Sequence, residues 1–457
     1  MALKNRIFNA ASTTTLAVLR LADRNISGSN LGRSIEEARR DPHSGYAHLR
    51  KIGPVVRNYA SRGWLVVGWD AVKAASKDPR FGNDMRKNRF LSRVLRAAAN
   101  GKPVPVLDAP SMVVLDPPDH TRLRKLVSHG FSNRYVQSLA PNIERISNEC
   151  LAGLDAPQGR FDFIERVARP LPAIVIAEML GLPESDRVQF RQWAEQILGI
   201  SVIGEPARIE QGTAAYQALT AYLEDIIEQK RRRPDGSIIS QLIAAEEAGD
   251  RLNAAEMVAT CSLLLNAGHL TTTSLLGTGL WLLLTHPDQL GKLRADRSLM
   301  ANAIEEMLRY DSPVQFVPRF ALEELEFFGR KIRKNQLVLL MLAAANRDEA
   351  GNPQPEVFDI TRENVQHIAF GHGIHLCLGL SLARLEARIA FNVLLDRFPD
   401  LALAEQDIPW AQNPLIRGID RLVLDYRQRP GKRSCGSGSA GTGDWICEAR
   451  THLSPPQ

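Results

Sequence analysis

The chain lacks the features of disulfide-stabilised and membrane-anchored proteins. Its five cysteines are scattered along 457 residues, and none has the spacing of a metal-binding pair. An odd, dispersed set of cysteines indicates a reducing compartment without a disulfide framework, and we expect the cytoplasm. The amino terminus has no apolar run of about 20 residues, the length that a membrane span needs. The sequence therefore predicts a protein with no stable membrane anchor.

Positive charge is in excess, but it is concentrated in one segment. The formal net charge is +6, and residues 84–104 contain six basic residues against one acid, Asp84. No interleaved aromatic pattern and no nucleic-acid-binding motif accompany these cations, so we expect no nucleic-acid partner. The segment predicts either a solvated loop or a loop that attracts an anionic substrate or an acidic carrier protein through Arg86, Arg89 and Arg93.

Composition divides the chain into three sections. Residues 1–35 form a basic amino-terminal extension with few acids, for which a cleaved targeting segment is the alternative. Residues 36–429 predict one folded domain, mainly helical with small sheets. Residues 430–457 are rich in glycine and serine, which is typical of a flexible tail.

The longest apolar stretch, residues 257–284, predicts a buried central helix. Asn253 and Glu256 have capping-box spacing, which places the start of the helix. The stretch resembles a membrane span in hydrophobicity, but Asn266, Gly268, His269 and several threonines interrupt it and no basic flanks define a topology. We expect the helix to end near residues 286–287.

Cys377 lies in a glycine-rich loop, Phe370-Gly-His-Gly-Ile-His-Leu-Cys-Leu-Gly379, ahead of a run that favours a helix. Gly371, Gly373 and Gly379 permit positive φ and close approach to a flat ligand. A thiolate there lies near the amino end of the next helix, whose dipole favours negative charge. A lone cysteine is most often a small buried hydrophobic residue, so the interpretation depends on the whole pattern.

The order Phe-Gly-x-Gly-x-His-x-Cys-x-Gly resembles the haem-binding loop of the cytochrome P-450 family. The resemblance implies that Cys377 is the proximal thiolate ligand of a haem iron. It also implies that Phe370, Gly371 and Gly379 bind the cofactor, haem b. The fold it implies is a mainly α triangular prism with small β-sheets, in which the haem lies between the long central helix and the helix after the cysteine loop.

Four further segments resemble the same family, so that the likeness covers roughly residues 40–428. His120 and Arg124 are four residues apart and share a face of a helix. A solvated basic helix is the alternative for that segment by itself. With the cysteine loop, the resemblance implies that His120, Arg124, Arg319 and His375 bind the haem propionates.

Glu306 and Arg309 are three residues apart on a predicted helix and can form an ion pair. Such pairs are usually found on helix surfaces, whereas the resemblance implies a buried structural pair that ties the helix to the following meander. The meander arginine of the family is absent because Val357 stands there, and we expect Arg362 to replace it.

The central helix carries the distal motif Ala267-Gly268-His269-Leu270-Thr271. The resemblance implies that Ala267 and Gly268 leave room for dioxygen and that Thr271 supports its activation. The family's acid is replaced by Leu270, so protons come through Thr271, Thr272, His269, water or a substrate hydroxyl, unless the enzyme never needed the acid. By location in the family, the expected substrate pocket is apolar: Leu263, Val314, Phe316, Val317, Leu415 and Ile416.

The activity that the resemblance implies is monooxygenation of a hydrophobic or amphipathic small molecule, with O2 as co-substrate, in secondary metabolism. No Gly-x-Gly-x-x-Gly motif follows a strand, so we expect electrons from outside this chain. The resemblance implies that they come from NAD(P)H through a ferredoxin reductase and a ferredoxin, which docks near Arg384 and Arg388 on a monomeric enzyme. An oxidative-coupling or peroxide-driven enzyme is the alternative on the same fold. A non-catalytic haem-binding sensor is the alternative of another class.

Overall fold

The computed structural model describes residues 39–59, 62–88, 92–93, 96–97, 105–108, 111–198, 206–247, 252–411 and 413–427. The predicted extension (1–35) and tail (430–457) lie outside these ranges, as do Arg89 and Lys102 of the basic segment. The section boundaries proposed from composition therefore stay predictions.

Helices dominate the fold, in agreement with the mainly α prediction. The helices of the described ranges, in chain order, are α1 Pro42–Ile52, α2 Trp69–Lys77, α3 Pro105–Asp108, α4 Asp119–Ser128, α5 Asn133–Ser138, α6 Ala140–Cys150, α7 Pro170–Leu180, α8 Arg187–Leu198, α9 Pro206–Arg232, α10 Ile238–Glu247, α11 Ala254–Thr285, α12 Pro287–Ala295, α13 Met300–Tyr310, α14 Leu342–Asn346 and α15 Leu380–Arg397.

Three small sheets accompany the helices in the described ranges. The largest has the strand order β1-β2-β8-β5-β3, in which only β2 and β8 run parallel; the others are β4-β10-β9 and the hairpin β6-β7. Their bounds are β1 Val55–Asn58, β2 Gly63–Val66, β3 Phe81–Gly82, β4 Gln158–Asp162, β5 Val317–Ala321, β6 Leu325–Phe327, β7 Arg330–Ile332, β8 Leu337–Leu340, β9 Asp400–Leu403 and β10 Val423–Arg427.

Helix α11 is the central element, as the sequence predicts. The capping box is present: the Asn253 side chain accepts from the Glu256 amide, and the Glu256 carboxylate accepts from the Asn253 amide. A Cβ at Gly279 would lie 2.7 Å from the sulfur of Met307 and 3.2 Å from the ring of Phe391. This glycine therefore lets α13 and α15 approach α11 closely. Among the described residues, no helix is both long and apolar enough to cross a membrane.

A buried ion pair ties α13 to the meander that precedes the cysteine loop. Glu306 and Arg309 are fully buried and joined by two hydrogen bonds of 2.7 and 2.8 Å. Arg309 also donates to the carbonyls of Pro355 and Val357 at 2.7 and 2.9 Å. The Arg362 Nε lies 3.4 Å from the Glu306 carboxylate. Arg362 therefore occupies the place expected for the missing meander arginine.

A second buried charge cluster fastens the first helix to the rest of the fold. Asp311, at the end of α13, accepts from the Arg417 Nε at 2.8 and 3.0 Å and lies 3.2 Å from the His43 Nε2 of α1. Arg417 also donates to the carbonyl of Arg39. Burial raises the pKa of Asp311, but Arg417 and His43 outweigh it and hold that pKa far below its usual value. The cluster therefore contains an ionised carboxylate.

Candidate functional site

The cysteine loop is closed by backbone hydrogen bonds. The Cys377 amide donates to the carbonyl of Phe370 at 2.8 Å, and the Gly371 amide donates to the carbonyl of Ile368 at 2.8 Å. A 3-10 turn spans Gly373–His375, and α15 begins at Leu380, directly after the loop. The thiol is therefore held between a short turn and the amino end of an 18-residue helix.

Two of the three loop glycines adopt the conformation expected from the sequence, and one does not. Gly371 and Gly373 have φ of +77° and +75°, but Gly379 has φ of −85° and is the N-cap of α15. A Cβ at Gly373 would collide with the backbone carbonyl of Ser76 at the end of α2. Gly373 therefore permits a close approach to protein backbone, and its role beside a flat ligand stays a prediction.

The protein surroundings affect the Cys377 thiol in two opposite ways. Burial raises the pKa of this thiol, whereas the Gly379 amide and the cations Arg124 and Arg384 lower it, and the net direction is upward. A coordinated metal ion deprotonates a thiol directly. The predicted helix-terminus effect on the pKa is thus present but is smaller than the effect of burial, and a coordinated metal ion would favour the thiolate.

Four side chains predicted to bind propionates converge beside this loop. The rings of His120 and His375 lie 4.3 Å apart between centroids, and the Arg124 Nη2 donates to the carbonyl of Leu376 at 2.6 Å. Arg319, on β5, is 6% exposed, and its Nη1 donates to the carbonyl of Pro318 at 2.8 Å. The structure therefore brings β5, α4 and the cysteine loop together at one cationic cluster.

This cluster is suited to an anionic ligand. Both ring nitrogens of His120 are buried without a hydrogen-bond partner among the described residues. Burial lowers the pKa of Arg319 to about 10, and burial with the charges of Arg319 and His120 lowers the pKa of His375 to about 3. Asp116 is the acid whose charge opposes these shifts. Two carboxylates placed here would satisfy buried donors and compensate buried positive charge, so these residues fit a haem.

The helix predicted to form the distal side, α11, presents one exposed stripe. Leu263, Ala267, Leu270 and Thr271 are exposed or half-buried, whereas most of the helix is buried. These residues are spaced three and four apart and therefore share a face. The Thr271 hydroxyl donates to the carbonyl of Ala267 at 2.9 Å and keeps its lone pairs as acceptors.

Two neighbours of this stripe, His269 and Thr272, face elsewhere, contrary to the predictions for them. His269 is 1% exposed and its Nε2 lies 3.1 Å from the carbonyl of Arg169, while Thr272 is 3% exposed. A Cβ at Gly268 would meet Ile176 of α7 at 3.8 Å, which is ordinary contact. The helical turn of about 100° per residue carries these side chains away from Thr271. His269 and Thr272 are therefore directed away from this face, whereas Gly268 is half-buried and its role beside Ala267 stays a prediction.

The residues predicted to line the substrate pocket separate into two groups. Val314 pairs with Ile416 in an isolated β-bridge, and the Gln315 amide donates to the carbonyl of Leu415 at 2.9 Å. Val317 packs with Val314 against the core of the five-stranded sheet. Phe316 packs instead against a separate cluster, which contains Leu49 of α1 and Met341. The structure thus brings Val314, Val317, Leu415 and Ile416 together and places Phe316 in a different cluster.

The described part of the basic segment is largely neutralised by acids. Arg86 pairs with Asp84 at 2.7 Å, Lys87 with Asp116 at 2.7 Å, and Arg96 with Asp108 at 2.8 Å. Arg93 is exposed. These pairs favour the solvated-loop alternative over an anion-binding loop.

One group of charges near the cysteine loop was missed by sequence reasoning. The Glu305 carboxylate accepts two hydrogen bonds from Arg384, each of 2.6 Å, and lies 2.9 Å from the His367 Nε2. Arg384 was expected on the surface, where a ferredoxin docks, but its charge is paired with Glu305. The only sequence signal was that Glu305 directly precedes Glu306, which gives no indication of partners 62 and 79 residues away.

Comparison with known proteins agrees with this geometry. The family model described as Cytochrome P450 matches residues 108–419. The cytochrome P450 monooxygenase PikC of Streptomyces venezuelae is 41% identical over 407 residues, which cover 87% of this chain and 94% of that protein. The 6-deoxyerythronolide B hydroxylase of Saccharopolyspora erythraea is 41% identical over 386 residues, 83% of this chain and 94% of that protein.

A solved structure extends the likeness to three dimensions. P450BioI, in complex with an acyl carrier protein that bears hexadec-9Z-enoic acid, superposes with a TM-score of 0.78 at 36% identity, over 86% of this chain and all of that chain. The fold, the site and these relatives show that the chain belongs to the cytochrome P450 family. It is an oxidoreductase of the monooxygenase class, so the sensor alternative is not retained.

Proposed function

We propose that the protein hydroxylates or epoxidises a hydrophobic or amphipathic secondary metabolite, with haem b ligated by the Cys377 sulfur. The observation that carries this proposal is the cysteine loop, closed by the Cys377–Phe370 hydrogen bond and adjoining the cationic cluster of His120, Arg124, Arg319 and His375. When bound, haem supplies the iron at which one atom of dioxygen is transferred to substrate and the other is reduced to water.

On the proximal side, residues of this chain would bind and orient the haem. The propionates would accept hydrogen bonds from His120, Arg124, Arg319 and His375, while Phe370, Gly371 and Gly379 would border the macrocycle. The unpartnered ring nitrogens of His120 support this assignment, because each would otherwise remain buried and unsatisfied.

On the distal side, the stripe of α11 excludes water and moves one proton. Leu263, Val314, Val317, Leu415 and Ile416 would contact substrate, and Ala267 leaves space beside them. Thr271 holds the exchangeable proton at Oγ1, which it now donates to the carbonyl of Ala267. Leu270 cannot replenish that proton, so ordered water or a substrate hydroxyl would do so.

Electrons would come from NAD(P)H through a ferredoxin reductase and a ferredoxin, because the family takes electrons from partner proteins. The exposed Arg388 and the apolar Ile374 and Leu376, which are 50% and 38% exposed, support docking at the cysteine loop. The P450BioI complex makes a carrier-bound acyl substrate the alternative to a free one, although Arg86, Lys87 and Arg96 are already paired with acids of this chain.

The ferrous carbon-monoxide spectrum tests the proposal directly. The wild-type holoprotein should give the strongly red-shifted Soret band of thiolate ligation, and Cys377→His should abolish it. Cys150→Ser, at a buried cysteine outside the loop, is the control and should retain the band. A red-shifted band that survives in Cys377→His would overturn the ligand assignment.

A peroxide-driven or coupling enzyme is the second candidate, favoured by Leu270. Helix α11 carries one acidic residue, Glu256, and it lies in the first turn, far from Thr271. Substrate turnover should be compared with hydrogen peroxide alone and with redox partners plus NAD(P)H. Comparable rates would favour this candidate, and Leu270→Asp should then raise only the partner-dependent rate.

A further inference from the structure

A charge network joins three elements beneath the cysteine loop. Glu305 of α13 accepts two hydrogen bonds of 2.6 Å from Arg384 of α15 and one contact of 2.9 Å from His367, at the end of the meander. A bidentate arginine–carboxylate pair fixes both distance and orientation. The three residues therefore hold α13, α15 and the loop entrance in one arrangement.

The network reaches the cysteine through Phe370. The Arg384 guanidinium lies over the Phe370 ring, 4.7 Å from its centroid, and the Phe370 carbonyl accepts the Cys377 amide hydrogen bond. His367 packs on the same ring at 5.8 Å between centroids. A displaced Phe370 would therefore loosen the hydrogen bond that closes the loop.

The network also places charge beside the cysteine loop. The Arg384 guanidinium lies 4.7 Å from the centroid of the Phe370 ring, and Phe370 is a residue of that loop. Burial raises the pKa of Glu305, but His367 and Arg384 outweigh it and bring the pKa to about 2. The Glu305 side chain is 27% exposed, so its negative charge is only partly screened and opposes the charge of Arg384.

We propose that Glu305 is a positioning residue for the thiolate: it holds Arg384 over Phe370 and offsets the arginine's charge, and it thereby sets the reduction potential of the bound iron. This inference rests on the proposed haem-thiolate function. Reduction adds negative charge to the site, so an uncompensated cation nearby favours the reduced form.

The test measures the reduction potential and the ferrous carbon-monoxide spectrum of holoprotein variants. Glu305→Gln should shift the reduction potential to a more positive value, because Arg384 loses its counter-charge. It should also increase the fraction of protein without the red-shifted band, because Arg384 loses the carboxylate that holds it in place. Arg384→Gln, which removes the cation, should shift the potential in the opposite direction. Glu305→Asp should restore most of the wild-type behaviour.

A matched ion pair on the same helix serves as control. Arg397 of α15 donates to Asp155 at 2.8 Å, and Asp155→Asn should leave potential and spectrum unchanged. A wild-type potential in Glu305→Gln, or shifts of the same sign in Glu305→Gln and Arg384→Gln, would refute the inference. If Glu305→Gln does not bind haem, recovery of haem binding in Glu305→Asp supports the positioning role. If neither Glu305 variant binds haem while Arg384→Gln has the wild-type potential and spectrum, the inference is refuted. A wild-type protein without the band would instead refute the proposed function.

Discussion

Glu386 is a buried carboxylate for which the described residues provide little compensation. It is 2% exposed, lies on α15, and its Oε2 has no hydrogen-bond partner. Burial raises the pKa of Glu386 to about 8. The folded protein therefore holds this proton more tightly than the unfolded chain, so the free energy of unfolding falls as pH rises from about 4.3 to the folded-state pKa.

Glu386→Gln should increase the free energy of unfolding at pH 8 by on the order of 3 kcal/mol and change it little at pH 4.5, because the amide cannot ionise. Urea unfolding at both pH values checks this. Glu228→Gln, whose side chain is 56% exposed, is the control and should shift neither curve by more than about 0.5 kcal/mol. Equal stabilisation by Glu386→Gln at both pH values would contradict the assignment.

At the scale of elements, the cysteine loop depends on its contact with α2. Gly373 has positive φ and its Cα faces the carbonyl of Ser76, so two separate constraints favour glycine there. Gly329 has a similar φ of +70°, but no atom lies within 4 Å of the Cβ that alanine would add. Alanine substitutions at the two glycines therefore distinguish the cost of backbone strain from the cost of a steric collision.

Gly329→Ala should cost about 1 kcal/mol in unfolding free energy, since a left-handed conformation is strained for alanine. Gly373→Ala should cost more, because the loop must also move away from α2, and it should reduce the fraction of thiolate-ligated protein. Urea unfolding and the ferrous carbon-monoxide spectrum of the two variants check this. Equal costs with an unchanged spectrum would show that the contact with Ser76 does not position the loop.

Local signals in the sequence predicted several structural elements and the segment that forms the cysteine loop. The capping box of Asn253 and Glu256 gave the start of α11, and the Glu306–Arg309 spacing together with the family resemblance gave the buried pair. The pattern around Cys377 identified the loop. In each case the interacting residues are close in sequence or belong to a recognisable motif, so spacing alone constrains them.

Contacts between distant segments could not be predicted in this way. Nothing near Gly373 indicates that Ser76 approaches it, and nothing near Glu305 indicates Arg384. The direction of His269 depends on the packing of α11 against α7, because periodicity defines which residues share a face without saying which face meets the core. These are the places where the sequence-based assignments failed or were incomplete.

At the scale of the whole molecule, Asp311 connects regions that are far apart in sequence. It joins α1 through His43, 268 residues away, and the turn of the distal pocket through Arg417, 106 residues away. Tyr46 adds a hydrogen bond of 2.8 Å to Gln315. The first helix and the pocket wall therefore share one buried charge.

Asp311→Asn should lower the free energy of unfolding by about 3–5 kcal/mol, because it leaves the buried Arg417 without its counter-charge. Asp396→Asn, at an exposed pair with Arg297, should lower it by less than about 1 kcal/mol. Chemical unfolding of the holoprotein at neutral pH distinguishes them. Similar losses in the two variants would mean that the cluster does not stabilise the fold.

The exposed stripe of α11 has a consequence for how this enzyme diversifies. Ala267 and Leu270 lie outside the packed core, whereas most of their neighbours on the same helix are buried. Substitutions at these two positions can therefore accumulate at small cost in stability, while those on the buried faces cannot. One continuous helix thus separates the positions that natural selection can vary for new substrates from those it must keep for the fold.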